Sequence, residues 1–278
     1  MPTFDTLEPI SATLDLQIGS VRITASKRTD TVVEVLPSNG AEDADVRAAQ
    51  QTTVTYAGGT LQVKGPRKRS LFGRAGSLDV SIELPAGSEI HAIVALGDLT
   101  CQGPLGDCRL KTSVGDIQVD QAQTVHLRTD HGDIQVHHAA GNAELIGAGR
   151  ITAGSLAGTA TVKNGNGETV IGEVVGDLRA NAANGRISVD VARSAVEAKS
   201  ANGAIRVGEV TRGRVTLQAA VGDVEVGIAA STAAWLDVHT RVGTVRNALG
   251  PSEGPGTSDE TVEVRASTGV GDIVISRS

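Results

Sequence analysis

Residues 111–136 read KTSVGDIQVDQAQTVHLRTDHGDIQV, and this stretch decides the fold because it holds two copies of one short pattern. The pentapeptide GDIQV begins at Gly115 and again at Gly132, and each copy is a glycine followed by alternating polar and apolar residues. Alternation with a period of two residues, rich in Val and Ile and punctuated by glycine, is typical of short β-strands. The pattern therefore predicts a repeated strand unit.

The same pentapeptide pattern recurs along most of the chain at intervals of 17 to 19 residues. A second alternating run lies between successive copies, so each unit holds two strands. Helix is scarce, and residues 42–50 are the best helical candidate. An early copy at Gly19 stands alone, and looser copies follow insertions at Gly243 and Gly271. The regular copies begin at Gly97, Gly115, Gly132, Gly149, Gly167, Gly185, Gly203 and Gly222.

Two architectures fit a pair of strands in every unit, namely a meandering antiparallel sheet and a parallel solenoid. Equivalent residues of a solenoid stack about 4.8 Å apart, so the length of each coil must stay nearly constant. The observed interval therefore favours an all-β, single-stranded β-helix-like solenoid with coils of about 18 residues. The strand spacing predicts about nine to ten coils and a length of roughly 45 Å, with the handedness left open.

The first third of the chain contains strand patterns but lacks the strict interval. We expect residues 1–88 to form an N-terminal β-rich cap, and residues 89–278 to form the β-strand repeat solenoid. A cap is expected because exposed strand edges would otherwise pair with other chains.

Composition excludes several classes of protein. Of the 278 residues, 40% are hydrophobic and 1% aromatic, so Val, Ile, Leu and Ala must fill the core. The net charge of -7 argues against attraction of the whole surface to nucleic acid or anionic lipid. No export signal and no apolar run of about 18 residues is recognisable, so we expect a cytoplasmic protein with no membrane span. Cys101 and Cys108 are then expected to be free thiols.

A longer motif carries a family resemblance. The run LDVSIELPAGSEIHAIVALGDLTCQG at residues 78–103, followed by KTSVGDIQV and RTDHGDIQV, resembles a bacterial domain-of-unknown-function family of β-strand repeat proteins labelled as candidate adhesins. The similarity extends over about residues 10–278. The resemblance implies a β-solenoid-like fold and no established catalytic residues.

A cluster of basic residues is the one conspicuous charge feature, in the segment KGPRKRSLFGR at residues 64–74. It is interpreted as a solvated loop, with docking on another protein or grip on a phosphate backbone or anionic surface as alternatives. Nucleic acid is the less favoured partner. The candidate binding residues of this basic loop are Lys64, Arg67, Lys68, Arg69, Phe72 and Arg74.

Polar residues at the turns are interpreted as structural. Asn166, Asn184 and Asn202 each precede a repeat glycine, which predicts a ladder of stacked amides. Aspartates that follow the repeat glycines are expected to cap backbone amides. Four histidines lie close in sequence, but strand alternation points them in different directions, so no metal site is predicted. The histidines are His126, His131, His137 and His138, and the aspartates are Asp98, Asp116, Asp133, Asp223 and Asp272.

No nucleophile, phosphate-binding or metalloprotease motif occurs in a suitable context. We therefore expect no enzyme, no catalytic residue and no cofactor. The sequence favours a non-catalytic scaffold or protein-binding module whose partner is unknown and which is open to self-association. The alternatives are a nucleic-acid or anionic-surface binder acting through residues 64–74, and a polymer-acting β-helix enzyme.

Overall fold

The computed structural model describes residues 1–66, 76–250 and 260–278. Contacts divide the chain into two compact units, Met1–His138 and Ala139–Ser278. Strands dominate both units. Among the described residues there is one helix, α1 (Asp43–Gln51), which agrees with the helical candidate of the sequence to within one residue at each end.

In the first unit, long strands alternate buried and exposed side chains, as the period of two residues predicts. The last of these strands ends at Ala139, which is the first residue of the second unit. The strands are β1 (Thr3–Asp5), β2 (Ser11–Ser26), β3 (Asp30–Pro37), β4 (Thr53–Ala57), β5 (Thr60–Lys64), β6 (Leu78–Pro85), β7 (Glu89–Leu96), β8 (Leu99–Val114), β9 (Ile117–His131) and β10 (Ile134–Ala139).

Strand β2 is a full coil of the parallel stack, and it precedes the other strands of that stack in the chain. It pairs in parallel with β5 and β6 along one edge, and with β7 and β8 along the other. Ala12, for example, is the register partner of both Leu61 and Ile90. The isolated sequence copy at Gly19 is therefore not isolated in space, because Gly97 of the next coil lies directly on it.

Antiparallel strands cover the outer coil of the first unit. β3 pairs with β6, β4 pairs with β5, and β1 pairs with β3, all antiparallel. The rings of Phe4 and Tyr56 meet at 5.3 Å between their centroids. A domain boundary at residue 88 stays a prediction, and β2, which lies before it, already belongs to the parallel stack.

The second unit consists of short strands in pairs, and each pair makes one coil. The pairs run from β11 and β12 to β23 and β24. Their bounds are β11 (Ala143–Gly147), β12 (Ile151–Leu156), β13 (Ala160–Asn166), β14 (Thr169–Val174), β15 (Leu178–Asn184), β16 (Ile187–Ala192), β17 (Val196–Asn202), β18 (Ile205–Val210), β19 (Gly213–Val221), β20 (Val224–Ile228), β21 (Thr232–Val242), β22 (Val245–Asn247), β23 (Glu260–Val270) and β24 (Ile273–Arg277).

The register of these strands confirms the β-solenoid. Leu178 pairs with Val196, and Ile187 pairs with Ile205, each one repeat further along the chain and in parallel. A meandering sheet would pair neighbouring strands antiparallel instead. Inward positions such as Val189 and Val207 are fully buried, so the core is a narrow stack of aliphatic side chains.

The last coils of the second unit do not stack in chain order. The final coil in the chain, β23 and β24, lies between two earlier coils: it pairs with β19 and β20 on one edge and with β21 and β22 on the other. Gly271 thus lies on Gly222, and Gly243 lies on Gly271. The coil β21/β22 is consequently the outermost coil of the unit among the described residues.

Stacked glycines bring the coils together. Gly167, Gly185 and Gly203 have φ angles of +123°, +125° and +151°, a region that side chains disfavour. A Cβ at Gly185 would lie 2.0 Å from the carbonyl oxygen of Gly167 in the preceding coil. The repeat therefore requires glycine both for backbone conformation and for the close approach of neighbouring coils.

Candidate functional site

The outermost coil of the second unit leaves one strand edge unpaired. Strand β21 pairs in parallel with β23, from Thr232 opposite Glu260 to Val242 opposite Val270. Within residues 1–66, 76–250 and 260–278, no strand pairs with the other edge of β21. An unpaired edge of this length presents a row of backbone donors and acceptors that a further strand can join. We call this feature, residues 232–242 of β21, the open edge.

The inward-facing side chains of the open edge are incompletely covered. Leu236 and Val238 are half-buried, whereas their register partners on β23, Val264 and Ala266, are 0% and 2% exposed. The difference arises because β23 has a coil on both sides and β21 has a coil on one. A strand added to the open edge would remove this apolar surface from water, which is favourable.

The direction of the backbone groups follows from the ladder. The Val242 carbonyl accepts the Gly271 N–H at 2.9 Å. That bond does not set the phase of the rest of the strand, because residue 241 has no register partner and the ladder is irregular there. The Thr232 N–H donates to the Ala229 carbonyl at 3.0 Å and not to β23, and equivalent inward residues such as Leu178 donate to the following coil. From residue 232 to residue 240, even-numbered residues of β21 therefore direct their N–H and C=O to the open side, and odd-numbered residues direct theirs to β23. The backbone groups of Ala234, Leu236, Val238 and Thr240 point to the open side.

The outward side chains of the open edge include an exposed aromatic residue and two charges. Trp235 is 56% exposed, and the Arg265 guanidinium lies 5.9 Å from its ring centroid. Asp237 and Arg241 are exposed as well, and neither makes an ion pair with any residue that the structure describes. They differ in this respect from Arg179 and Arg214, which form ion pairs with the following coil.

Ion pairs link neighbouring coils elsewhere on the outer face. Arg179 of β15 meets Glu197 of β17 at 3.0 Å, and Arg214 of β19 meets Glu263 of β23 at 3.0 Å. The Arg214 guanidinium, followed by that of Arg265, lowers the pKa of Glu263. Outward-facing charged residues of one coil thus form ion pairs with those of the next coil in the stack.

Of the six candidate binding residues in the predicted basic loop, the structure describes Lys64. Lys64 is exposed at the end of β5, opposite Asp15 in β2 and Thr53 in β4. The other predicted binding residues lie outside the described part of the chain, so the proposed grip on a phosphate or a protein stays a prediction. These residues are Arg67, Lys68, Arg69, Phe72 and Arg74.

The structure brings the three predicted ladder asparagines together. Asn166 pairs in register with Asn184, and Asn184 with Asn202. The Asn202 side-chain amide donates to the Asn184 side-chain oxygen at 3.2 Å. All three side chains are exposed, so the amide row lies on the surface of the turn.

The aspartates that follow the repeat glycines accept backbone hydrogen bonds from the next coil. The Asp116 N–H donates to Asp98 Oδ1 at 2.9 Å, and the Asp272 N–H donates to Asp223 Oδ1 at 2.8 Å. Asp272 in turn accepts the Thr244 N–H, and this bond lowers the pKa of Asp272. One oxygen of each of these carboxylates is thus engaged in holding a turn, which is the structural role inferred from the sequence.

The four clustered histidines are exposed and do not form a common site. His137 Nδ1 lies 3.3 Å from Asp120 Oδ1, and its Nε2 lies 2.8 Å from the Gln135 amide. In the described ranges, no group of three or more His, Cys, Asp or Glu residues could hold a metal ion.

The two cysteines are buried free thiols on β8. Burial raises the pKa of the Cys101 thiol well above its ordinary value, and burial with the nearby Asp107 carboxylate raises the pKa of Cys108 to about 12. Both thiols stay protonated at neutral pH. They consequently lack the thiolate form that acts as a nucleophile.

A recess of about 530 Å³ lies on the outer face of the second unit. Its charges are largely engaged: the Ser194 hydroxyl donates to Asp177 at 2.6 Å, and Arg179 pairs with Glu197 at 3.0 Å. The recess therefore offers fewer unpaired groups to a ligand than the open edge does.

Sequence reasoning missed a second residue that holds the coils together. A threonine three positions before a repeat glycine donates its hydroxyl to the carbonyl of the glycine one coil away. Thr112 bonds Gly97 at 3.1 Å, and Thr268 bonds Gly222 at 2.8 Å. The buried Asn164 amide bonds Gly149 in the same way, at 3.0 Å. The recurring spacing Thr-x-x-Gly was the signal available in the sequence.

The stacked parallel coils, the row of glycines at positive φ and the open strand edge place the chain among the β-solenoid repeat proteins. The chain belongs to the Toastrack DUF4097 family, whose profile matches residues 12–278. The resemblance inferred from the sequence motifs is thereby confirmed. No curated protein matches the chain.

Similar solved structures come from several bacteria. One is a candidate cell adhesion protein of Clostridium sporogenes, with 13% identity over 100% of this chain and 98% of that chain, and a TM-score of 0.25. A candidate adhesin of Bacteroides fragilis has 16% identity, covers 99% and 95%, and gives a TM-score of 0.38. A candidate adhesin of Parabacteroides distasonis has 10% identity, covers 98% and 95%, and gives 0.36. Within the described residues, no helix has the length and apolar character needed to span a bilayer.

Proposed function

We propose that this protein is a non-catalytic protein-binding module, and that the open edge of β21 is its binding surface. The observation that carries the proposal is the unpaired strand edge with half-buried Leu236 and Val238 on its inner side. Addition of a partner strand would satisfy the outward backbone groups and cover the apolar side chains in one step.

The chemistry of the reactive side chains supports a non-catalytic role. The thiols of Cys101 and Cys108 have raised pKa values, and each is buried. The aspartates that follow the repeat glycines, such as Asp98 and Asp116, each accept a backbone N–H of the next coil. A general acid or base must be able to exchange its proton with substrate, which an oxygen engaged in a turn does poorly.

The cytoplasmic location expected from the sequence remains part of the proposal. The support is the pair of buried, unbonded thiols, since reducing compartments keep cysteines in this state.

The test is a pair of variants at one position of the open edge. Val238→Pro removes an N–H that points to the open side, and leaves the odd-numbered residues free to bond β23. Val238→Ala shortens the same side chain and keeps the N–H, so it is the matched control. Both proteins are used as bait on their native lysate, and captured proteins are quantified by mass spectrometry.

We expect proteins captured by the wild-type chain to be retained by Val238→Ala and lost by Val238→Pro. Circular dichroism and the unfolding midpoint verify that both variants are folded. Equal capture by the two folded variants would show that binding does not use the open edge, and the proposal would be wrong.

A further inference from the structure

The outward charges of the open edge are arranged so that the strand complements itself. In the sequence Asp237-Val238-His239-Thr240-Arg241, the acidic residue lies two positions before His239 and the basic residue lies two positions after it. When two copies of this strand pair antiparallel about His239, each Asp237 lies opposite the Arg241 of the other copy. Opposite charges directly across an antiparallel pair stabilise it, and like charges destabilise it.

The backbone permits this register. In an antiparallel ladder, residues that exchange both hydrogen bonds must face each other with their N–H and C=O groups. Val238 and Thr240 are even-numbered, and their backbone groups point to the open side. Pairing about His239 therefore matches Val238 with Thr240 in hydrogen-bonded positions. It places His239 opposite itself, and Asp237 opposite Arg241, in non-hydrogen-bonded positions, where side chains across the pair lie closer together.

The inward side chains also match in this register. Val238 would lie across from Thr240 of the other copy on the inner face, and Leu236 would lie across from Val242. Val242 is 59% exposed and its register partner Val270 is 49% exposed, so this position before the repeat glycine is exposed in a covered coil as well. On the outer face, Trp235 would lie across from Gly243, where the absence of a side chain leaves room for the ring.

Neighbouring registers fit less well. Pairing about Asp237 or about Arg241 would place two like charges directly across from each other, which is unfavourable. The coils of the second unit already show the preferred arrangement, because outward Arg and Glu residues pair across coils, as Arg214 and Glu263 do at 3.0 Å. The unsatisfied charges of the open edge lack such a neighbour.

We infer that the partner of the open edge is a second copy of this chain, joined by antiparallel pairing of the two β21 strands about a two-fold axis at His239. The inference rests on the proposed function, because it names the occupant of the same edge. Such an interface is isologous, so one surface supplies both halves and the assembly closes as a dimer. Closure removes both open edges at once.

Charge reversal and charge exchange at two residues test the inference on the full-length protein. The single variants Asp237→Arg and Arg241→Asp each place like charges across the interface. The double variant Asp237→Arg/Arg241→Asp restores opposite charges with their places exchanged. Asp190→Arg, an exposed position on β16, makes the same change of charge away from the edge and is the matched control.

Sedimentation equilibrium measures the mass as a function of concentration. We expect the wild-type chain and Asp190→Arg to move from 28.4 kDa toward twice that mass in the same concentration range. We expect each single variant to dimerise about tenfold more weakly, and the double variant to recover most of the loss. The Val238→Pro variant should be monomeric, and Val238→Ala should dimerise.

Two results would overturn the inference: a wild-type chain that stays monomeric up to high-micromolar concentration, or a dimer that the single reversals leave unchanged. Weakening by both single reversals without recovery in the double variant would also contradict the stated register. Loss of capture by Val238→Pro with a monomeric wild-type chain would leave the proposed function standing with a different partner. Equal capture and a monomer together would refute both.

Discussion

Replacement of Gly167 by alanine tests the requirement for a row of glycines between coils. Gly167 has a φ angle of +123°, and an alanine Cβ there would lie 2.4 Å from the carbonyl oxygen of Gly149. Gly165 is two residues away in the same turn. Its φ angle is not positive, and the nearest atom to an added Cβ is Ala148 Cβ at 3.5 Å. The two glycines therefore form a matched pair, one constrained and one free.

The size of the effect follows from two terms. A non-glycine residue at positive φ costs about 1–3 kcal/mol of strain. The clash adds to this, because the Gly149 oxygen is also held by the Asn164 amide at 3.0 Å and cannot simply withdraw. Moving these two coils apart would weaken the bond from the Ile151 N–H to the Glu168 carbonyl, and a hydrogen bond contributes about 0.5–1.5 kcal/mol. We expect Gly167→Ala to lower the free energy of unfolding by about 3 kcal/mol or more.

Gly165→Ala should do the opposite. Alanine restricts the unfolded chain, and at a compatible site this stabilises by about 0.4–1 kcal/mol. Guanidinium unfolding followed by far-ultraviolet circular dichroism gives both values. Fluorescence of Trp235, the single tryptophan, reports the outermost coil separately. A Gly167→Ala protein within about 0.5 kcal/mol of wild type would refute the argument that coil stacking requires glycine here.

Three further predictions concern side chains that hold the coils or lie in the core. Thr268→Val removes the buried hydrogen bond to the Gly222 carbonyl and should cost about 1–2 kcal/mol in guanidinium unfolding. Ser200→Ala at the equivalent position should be nearly neutral, because Ser200 Oγ has no hydrogen-bond partner. Equal losses of stability in the two variants would contradict this. The Thr244 N–H lowers the pKa of Asp272 below its ordinary value of 3.8, so its contribution is present above that pH and lost as pH falls through the lowered pKa. The unfolding midpoint of wild type should therefore exceed that of Asp272→Asn at pH 7 by more than at pH 3, and a pH-independent difference would argue against the ionic contribution. Because burial raises the pKa of both thiols, Cys101 and Cys108 should react with a disulfide reagent at pH 8 only after unfolding, and rapid labelling of the native protein would contradict their burial.

The sequence predicted the type of binding surface but not its position in the chain. The sequence predicted that strand edges would be the binding surfaces, because any solenoid coil without a neighbour has unpaired backbone groups. It did not identify β21 as the strand concerned. The interval from Gly222 to Gly271 is 49 residues, and parallel coils of similar composition can stack in more than one order over such a distance. The complementary placement of Asp237 and Arg241 could be recognised only once β21 was known to be an edge strand.

The sequence by itself determined the coil. Glycine at nearly constant intervals, alternating Val and Ile, and aspartate after the glycine are local features, and each acts within a turn or between equivalent positions of successive repeats. These features were sufficient to predict the solenoid and the role of residues such as Asp98 and Asp223 in the turns. Each of these two carboxylates accepts a backbone N–H of the next coil.

Tertiary structure alone decided the order of the coils at both chain ends. β2 enters the stack between segments that follow it in the chain, and β23 enters between β19 and β21. The physical reason is that parallel strands bond through the backbone, and alternating aliphatic side chains fit any similar coil, so local pattern does not specify the neighbour. The closing of long connections settles which coil is covered on both sides and which edge stays open.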